Sequence, residues 1–275
     1  MRRPPHVLLL LYRIFARLVK GLLTFFGESD ILYKEREGVS AVPIRKTEYR
    51  ISSDGVKIRL AMLADLHRGS AGEAISILRA DPPDLILLAG DLYESPPRRR
   101  FFDCSAALEL LANLPAGVPA FYCRGNHDHT PCEEVDRALA AAGVVELDSS
   151  YRTLPSGITV GGLRSALYAG GVPDLPFLAD FSRLPGYKIL ISHHPEYYPK
   201  YIRALPIDLT VSGHAHGGQW ALFRHGLFAP GQGLFPRYTA GIYDERLAVT
   251  RGMANDVRVP RIGTPREVVY LTLGK

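Results

Sequence analysis

The sequence of 275 residues predicts an α/β fold built on a mainly parallel sheet. Short apolar runs of strand length recur from about residue 45 onward, which is typical of buried strands. Stretches with helical patterning lie between several of these runs, and such alternation favours a parallel sheet covered on both faces. The chain is long enough to bury a sizeable core, and its 47% hydrophobic and 22% charged residues are ordinary for a globular protein.

The predicted elements follow one another along the chain. The run IRLAMLAD ends at Asp65 and precedes the helical stretch AGEAISILRA, and DLILLAGD ends at Asp91 and precedes CSAALELLANL. The third run, PAFYCRGN, ends at Asn126 and precedes the helical stretch CEEVDRALAAAG. YKILISHH then reaches His194, and DLTVSGHAH reaches His216. ITVGGL and REVVYLTL are further predicted strands.

Five of these strands end in side chains that can bind a metal ion. Ligands of open α/β sheets bind outside the carboxyl ends of the strands, so these side chains can converge on one site. A single strand-end Asp is more often a turn residue or a helix cap, but five polar ends in succession fit turn chemistry poorly. The residues are Asp65 and His67, Asp91, Asn126, His193 or His194, and His214 and His216.

The spacing and number of these residues indicate two metal ions. Asp65 and His67 lie two positions apart, as do His214 and His216, so on a loop that curves after a strand each pair can reach two neighbouring ions. Seven ligands exceed the four of one tetrahedral ion and suit two ions that share a bridging carboxylate. A mixed His, Asp and Asn set accepts Mn, Fe, Zn or Co, so the residues leave the metal's identity open.

The segment CRGNHDHTPC at 123–132 has two interpretations. Cys123, His127, His129 and Cys132 could form a zinc knuckle, or the segment could be a catalytic loop with thiols nearby. Cys123 lies inside the apolar run PAFYC and is interpreted as a small core residue. Asn126 and its neighbours then follow the strand as a loop, which favours the catalytic interpretation.

The motifs DLH, GDLY, GNHD, SHHP and GHAHGGQ, in this order, resemble those of the calcineurin-like metallophosphoesterases. The resemblance runs from about Arg59 to the C-terminus. The GHAHGGQ form, with the later TRG and REVVYLTL, is most similar to the bacterial YkuE-like branch, which is related to the UDP-diacylglucosamine pyrophosphatases. The resemblance implies a sandwich of two facing sheets flanked by helices.

The resemblance also implies a set of metal ligands. Two divalent ions, Mn, Fe or Zn, are implied to be held as follows: the first by Asp65, His67 and His216, the second by Asn126, His193 and His214, and both by Asp91 as a bridge. The family motif places a ligand at the first histidine of SHHP, which favours His193 over His194.

The remaining motif residues are implied to act on the substrate. His127 is implied to face the substrate phosphate, and Asp128 to orient its ring. His129, His194 and His225 lie near or beyond the family pattern, and their roles stay open at this point.

These residues and the resemblance predict a metal-dependent phosphoesterase in which a hydroxide between two ions attacks phosphorus in line. The predicted substrate is a membrane-linked phosphodiester or pyrophosphate such as a UDP-sugar lipid. The alternatives are a soluble-substrate phosphodiesterase, nuclease or protein phosphatase, and a non-catalytic scaffold. A scaffold is expected to lose ligands, whereas all seven are present. A formally neutral catalytic domain disfavours nucleic acid as a partner.

The N-terminal segment predicts a basic amphipathic helix. Arg13, Arg17 and Lys20 fall on one helical face, and most of the remaining surface is Leu, Ile, Val and Phe. Spanning a bilayer would place these cations in hydrocarbon at about 2.5–3.5 kcal/mol each near the centre, so a helix lying in the interface is favoured. The predicted division is a membrane-associating helix at 1–27, a linker at 28–44 and a catalytic domain at 45–275.

This segment predicts a peripheral protein on the cytoplasmic face of the inner membrane. The alternatives are an exported, membrane-anchored protein and a helix packed on its own domain. A secretory signal fits poorly, because VLLLLY is a short apolar region and no clear small-residue cleavage site follows. The three cysteines favour a reducing compartment.

The charge of the chain is concentrated near its start. Five cations and no acid lie in the first 20 residues, which equals the whole net charge of +5. One further basic run, the three arginines at 98–100, is interpreted as a solvated loop rather than a contact to phosphate or lipid.

Overall fold

The structure is a computed structural model, and it describes residues 43–97, 99–166, 171–222, 225–254, 261 and 263–274. The predicted helix at 1–27 lies outside these residues, as does the linker at 28–44 apart from its last two positions. No helix within the described residues is long and apolar enough to cross a membrane.

The first of two large sheets contains three of the five predicted site strands. Its strands are β1 (Arg45–Ile51), β2 (Ile58–Leu63), β3 (Leu85–Leu88), β4 (Ala120–Tyr122), β5 (Val144–Glu146) and β16 (Glu267–Leu273). They lie in the order β1-β16-β2-β3-β4-β5. Strands β2 to β5 are parallel, and β16 is antiparallel to β2, with Leu271 opposite Leu60.

The second large sheet contains the other two predicted site strands. Its strands are β6 (Ser150–Thr153), β7 (Thr159–Leu163), β8 (Lys188–Ser192), β9 (Leu209–Ser212), β14 (Gly241–Tyr243) and β15 (Leu247–Val249). They lie in the order β14-β15-β9-β8-β7-β6. Strands β7, β8, β9 and β15 are parallel, and the edge strands β6 and β14 are antiparallel to their neighbours. The prediction of mainly parallel sheets is therefore confirmed.

Helices and short hairpins complete the described part. The helices are α1 (Gly72–Ala80), α2 (Ser105–Ala112), α3 (Glu133–Ala141) and α4 (Leu175–Ser182), with a π-helical turn at Tyr198–Ile202 and a 3-10 turn at His216–Gly218. Two small hairpins pair β10 (Ala221–Leu222) with β11 (His225–Gly226), and β12 (Phe228–Ala229) with β13 (Gly233–Leu234). The three predicted helices correspond to α1, α2 and α3. Helix α4 was not predicted, although Asp174 caps it by accepting a bond from the Phe177 backbone N–H at 3.0 Å.

The core lies between the sheets and between each sheet and its helices. Leu60 and Met62 of β2 point towards the second sheet, where Ile191 and Val211 belong to the same apolar cluster. Ala61 and its alternate neighbours on β2 pack instead against the helix layer. This alternation of faces explains why the strands are apolar throughout. Two facing sheets flanked by helices, as the family resemblance implied, are confirmed.

Candidate metal centre

The five predicted strand ends converge on one edge of the sandwich, but they come from two sheets. Asp65, Asp91 and Asn126 follow β2, β3 and β4 of the first sheet, and His193 and His214 follow β8 and β9 of the second. All five side chains are buried, with relative exposures of 0–3%. The sandwich therefore brings together strand ends that lie up to about 150 residues apart, as the bond from the His214 backbone N–H to Asp65 Oδ1 at 3.0 Å shows.

The first group of side chains contains Asp65, His67 and His216. One ligand atom from each lies within 4.8 Å of the others, a spacing that can hold a metal ion. The Asp65 Oδ1 atom is 3.9 Å from His67 Nε2 and 3.8 Å from His216 Nε2. These are the three residues predicted for the first ion.

The second group contains Asp91, His193 and His214, again within 4.8 Å. The Asp91 Oδ2 atom lies 3.0 Å from His193 Nε2 and 3.9 Å from His67 Nε2, so one carboxylate oxygen approaches a histidine of each group. The position of Asp91 between the groups fits the predicted bridging role.

Asn126 tests whether a cation fits this place. Its side chain is 2% exposed, and both its Oδ1 and Nδ2 atoms lack a hydrogen-bond partner among the described residues. Leaving a buried amide unsatisfied costs about 1–3 kcal/mol, so native proteins rarely do so without a reason. An oxygen ligand to a divalent ion would satisfy Oδ1, and the residues present therefore fit the predicted metal site.

The backbone at the predicted ligands is strained. Asp65, His67, Asp91, His214 and His216 have φ angles of 54°, 48°, 56°, 67° and 47°. This left-handed region is uncommon for residues other than glycine, and each such residue costs on the order of 1–3 kcal/mol. Strain of this kind clusters at functional sites, where it aims side chains that a regular strand would turn away.

Two motif glycines are required by close approach to these carboxylates. A Cβ at Gly125 would lie 2.1 Å from Asp91 Oδ1, and a Cβ at Gly213 would lie 2.7 Å from Asp65 Oδ2. The glycines of GNHD and GHAH therefore leave room for the carboxylates of the neighbouring strands.

Glu94 is a buried site residue that the sequence did not predict. Its Oε1 atom accepts hydrogen bonds from His67 Nδ1 and His127 Nδ1, both at 2.9 Å. Burial raises the pKa of Glu94, but the bonds from His127 and His67 outweigh it and hold the pKa well below its usual range. An ionised Glu94 fixes both rings with the proton on Nδ1, which leaves Nε2 as the basic nitrogen. The only local signal was an acid three positions after Asp91.

The predicted role of Asp128 is corrected by these contacts. The Asp128 carboxylate accepts bonds from the Leu92 N–H at 2.7 Å, the Gly125 N–H at 2.6 Å and the Tyr122 hydroxyl at 2.7 Å. Asp128 thus holds the loops after β3 and β4 together, and Glu94 is the carboxylate that orients the His127 ring. The reason is that the Asp128 carboxylate is turned towards the backbone N–H groups of Leu92 and Gly125, which lie in these two loops.

His194 and Glu196 lie beside the second group. The His194 Nε2 atom is 2.6 Å from Ser165 Oγ, and its Nδ1 atom is 3.4 Å from Glu196 Oε1. The same Glu196 oxygen is 3.8 Å from His214 Nε2. His193 contacts Asp91, whereas His194 belongs with Glu196 and His214 to a neighbouring group whose spacing could also hold a metal ion.

The zinc-knuckle interpretation has no support within the described residues. The Cys123 Sγ atom belongs to the core and lies 3.3 Å from the Leu163 carbonyl oxygen. The Cys132 Sγ atom lies 3.3 Å from Cys104 Sγ. His129 is exposed, and the metal-competent groups of the described part contain no cysteine. The side chain of His225 lies outside the described residues.

The charges of the second group are strongly coupled. Burial lowers the pKa of His193, but the Asp91 carboxylate outweighs it and raises the pKa of His193 to about 10. The same interaction holds the pKa of Asp91 well below its usual range against the effect of burial. Without a cation, His193 therefore carries a proton at neutral pH.

Comparison with known proteins finds similarity along most of the chain. The family model for the calcineurin-like phosphoesterases matches residues 58–218, which include every predicted ligand. The chain is 30% identical over 213 residues to the phosphodiesterase YaeI of Escherichia coli strain K12, which covers 72% of this chain and 75% of that protein. It is 28% identical over 286 residues to the uncharacterized metallophosphoesterase YkuE of Bacillus subtilis strain 168, covering 94% of each. It is also 25% identical to the uncharacterized metallophosphoesterase Cj0846 of Campylobacter jejuni, covering 95% of this chain and 71% of that protein.

Proposed function

We propose that this chain cleaves a phosphodiester or pyrophosphate at a site for two divalent ions. The chain belongs to the calcineurin-like phosphoesterase family and is therefore a metal-dependent phosphoester hydrolase. One observation supports the dinuclear site above the others. The Asp91 Oδ2 atom approaches His193 at 3.0 Å and His67 at 3.9 Å, and these histidines belong to different ligand groups.

Each proposed ion would take ligands from both sheets. Asp65, His67 and His216 would hold one ion, Asn126, His193 and His214 would hold the other, and Asp91 would bridge them. When bound, such ions supply Lewis acidity and lower the pKa of the attacking water. Because the ligands are nearly all buried, a substrate phosphate there would meet few competing water molecules.

His127 has the position for a proton donor to the leaving oxygen. Its Nδ1 atom donates to Glu94, and its backbone N–H donates to Asp91 Oδ1 at 2.8 Å, which ties the ring to the proposed bridge. We assign Nε2 of His127 to the phosphate and its leaving group. To donate there, the ring must be an imidazolium with a second proton on Nε2, which the ionised Glu94 at Nδ1 would stabilise. General acid catalysis of this kind contributes typically ~10²–10⁴-fold.

The proposed substrate is lipid-linked and is taken from the membrane surface. The cationic, amphipathic pattern at 1–27 supports this, because such helices bind anionic bilayers from one side. The similarity to YaeI, a phosphodiesterase, supports a diester rather than a monoester. A soluble phosphodiester is the second candidate, and the neutral remainder of the chain disfavours a nucleic acid.

The proposal is tested by metal analysis of the purified full chain combined with a substrate panel. Aryl phosphodiesters, nucleotides and UDP-linked lipids would be assayed with Mn²⁺, Fe²⁺ or Zn²⁺. Two bound ions per chain with preferred turnover of a lipid-linked diester or pyrophosphate are expected. One ion per chain would contradict the proposed dinuclear site, and preferred turnover of soluble diesters would favour the second candidate.

Membrane association is tested separately. Deletion of residues 1–27 is expected to release the protein from anionic vesicles while turnover of a soluble aryl phosphodiester continues. Unchanged vesicle binding by the shortened protein would contradict the role proposed for this segment.

A further inference from the structure

Large apolar side chains are exposed on segments that follow the carboxyl ends of strands. Within the described residues, five of the seven exposed large hydrophobic residues lie on three loops. The sixth, Leu175, begins helix α4 directly after the second loop, and the seventh, Tyr151, lies on the edge strand β6. The first six are Phe101, Phe102, Val172, Leu175, Leu234 and Phe235. Single exposed apolar residues are ordinary, but a cluster on neighbouring loops indicates an interaction surface. We call these six residues the apolar rim.

All three loops leave the edge of the sandwich that carries the proposed metal centre. Residues 92–97 and 99–104 follow the carboxyl end of β3 as the first loop, and residues 164–166 and 171–174 follow that of β7 as the second. The third loop, at 227–235, includes the β12–β13 hairpin and follows β9 through the His216–Gly218 turn. Strands β3, β7 and β9 end at the same edge, because strand ends from both sheets meet in the metal centre.

Contacts tie the first loop to the site. Glu94 and Asp103 exchange two backbone hydrogen bonds at 3.1 Å, so Phe101 and Phe102 directly precede a residue paired with Glu94. The Phe102 ring also lies 6.5 Å from the Tyr93 ring. Glu94 itself contacts His67 and His127, so this part of the rim borders the substrate side of the centre.

The second loop is held beside His194. Ser165 lies 2.6 Å from His194 Nε2, and the Gly171 N–H donates to the Ala166 carbonyl at 2.8 Å. This bond brings Val172 back to the start of its loop.

The third loop is held against Glu196. A Cβ at Gly231 would lie 1.9 Å from Glu196 Oε1, and the Phe235 N–H donates to the Leu227 carbonyl at 3.0 Å. The Leu227 N–H in turn donates to the Gly218 carbonyl at 3.2 Å, so the hairpin is joined to the turn that begins at His216.

Cations accompany the apolar rim. Arg100 is exposed, and its guanidinium lies 5.2 Å from the centre of the Phe101 ring. Arg237 is also exposed, two positions after Phe235, and lies 5.4 Å from the Tyr238 ring. Aromatic side chains beside arginines are typical of surfaces that enter the headgroup region of an anionic bilayer.

We propose that the apolar rim is a membrane-docking surface that holds the metal centre against a bilayer of anionic phospholipid. Phe101 and Phe235 would insert into the bilayer, and Arg100 and Arg237 would contact its headgroups. This inference rests on the proposed lipid-linked substrate, and it places that substrate's headgroup between the loops. It differs from the role of the segment at 1–27, because the rim orients the site whereas the segment provides attachment.

The test uses the full chain and vesicles of phosphatidylcholine with phosphatidylglycerol, with bromine on the acyl chains. The Phe101→Trp and Phe235→Trp variants report on the rim, and Tyr151→Trp is the matched control because Tyr151 is an exposed aromatic residue on the edge strand β6 and on none of the three loops. Acyl-chain bromine is expected to quench the new fluorescence in both rim variants and not in the control. Quenching of neither rim variant beyond the control, or no vesicle binding by any of the three, would overturn the proposal.

A second experiment separates docking from chemistry. Combined Phe101→Ser and Phe235→Ser substitutions are expected to weaken turnover of a vesicle-embedded substrate by about tenfold or more, since two phenylalanine rings would no longer be buried in the bilayer. Turnover of a soluble aryl phosphodiester is expected to be unchanged, as is that of Tyr151→Ser on both substrates. Equal loss on both substrates, or dimerisation through the rim without bromine quenching, would contradict membrane docking. Absence of all phosphodiester turnover in the unmodified chain would instead contradict the proposed function.

Discussion

Two buried glutamates flank the proposed metal centre, and they hold their histidines at different distances. Glu94 accepts from His67 and His127 at 2.9 Å each. Glu196 lies 3.4 Å from His194 and 3.8 Å from His214. The Glu94 side is therefore assembled by hydrogen bonds within the protein, whereas the Glu196 side is spaced more loosely.

Several polar atoms on the Glu196 side also lack hydrogen bonds. His194 Nδ1, Glu196 Oε2 and His214 Nε2 are buried without a hydrogen-bond partner among the described residues. Three such atoms in one place are costly, and contraction of the cluster around a ligated His214 would lower that cost. The comparison teaches that hydrogen bonds within the protein order the Glu94 side, and we expect the Glu196 side to become ordered when a cation binds.

Asp91 joins the two sides, so its replacement has the largest expected effect. Asp91→Asn should lose bound metal and abolish turnover, because one neutral amide cannot bridge two cations. Metal content by elemental analysis and hydrolysis of an aryl phosphodiester would measure both. The circular dichroism spectrum should stay unchanged, and retention of two ions with near-normal activity would contradict the bridging assignment.

His127→Ala breaks the Glu94 side without touching a proposed ligand. The variant should keep its metal and lose kcat by ~10²–10⁴-fold, since a general acid is removed. The loss should shrink with nitrophenolate, a leaving group that needs no proton. An equal loss for good and poor leaving groups would show that His127 only stabilises the phosphate.

The matched pair Glu94→Gln and Glu196→Gln compares the two sides directly. Carboxylates that orient metal-binding histidines contribute about 10–100-fold to metal affinity or activity. Glu94→Gln should lower kcat even at saturating metal, because His127 loses its orienting partner. Glu196→Gln should weaken metal binding yet recover kcat at high metal concentration. Identical behaviour of the two variants in metal titrations would remove the distinction drawn between the sides.

The pH dependence of metal binding tests whether His193 carries a proton in the metal-free protein. The pKa of His193 is raised to about 10, so the metal-free protein must release this proton when an ion binds. Affinity should rise about tenfold per pH unit from neutrality towards that value. In the metal-free protein the same shift contributes stability that is present below the unfolded pKa of about 6.5 and is lost as the pH rises through about 10. Competition with a chelator at several pH values would measure the affinity, and a flat profile would show that His193 is already neutral.

The sequence by itself predicted the strands that carry the site, since their apolar runs and polar ends are local features. A fully buried strand must be apolar on both faces, and a residue just past its carboxyl end is the first that can be polar. Asp65, Asp91 and Asn126 are therefore visible without a structure. Helix α4 could also have been found, because Asp174 with Pro176 two positions later is a local start signal.

Only the tertiary structure decided which side chains become partners. Glu94 and His127 are 33 positions apart, and no periodicity in the sequence relates them. The assignment of Asp128 to the His127 ring failed because adjacency in the chain does not determine which way a loop side chain turns. The two sheets also had to face each other before strand ends from both could share one site. Chain-local forces determine the elements, whereas contacts between distant residues depend on how whole sheets pack.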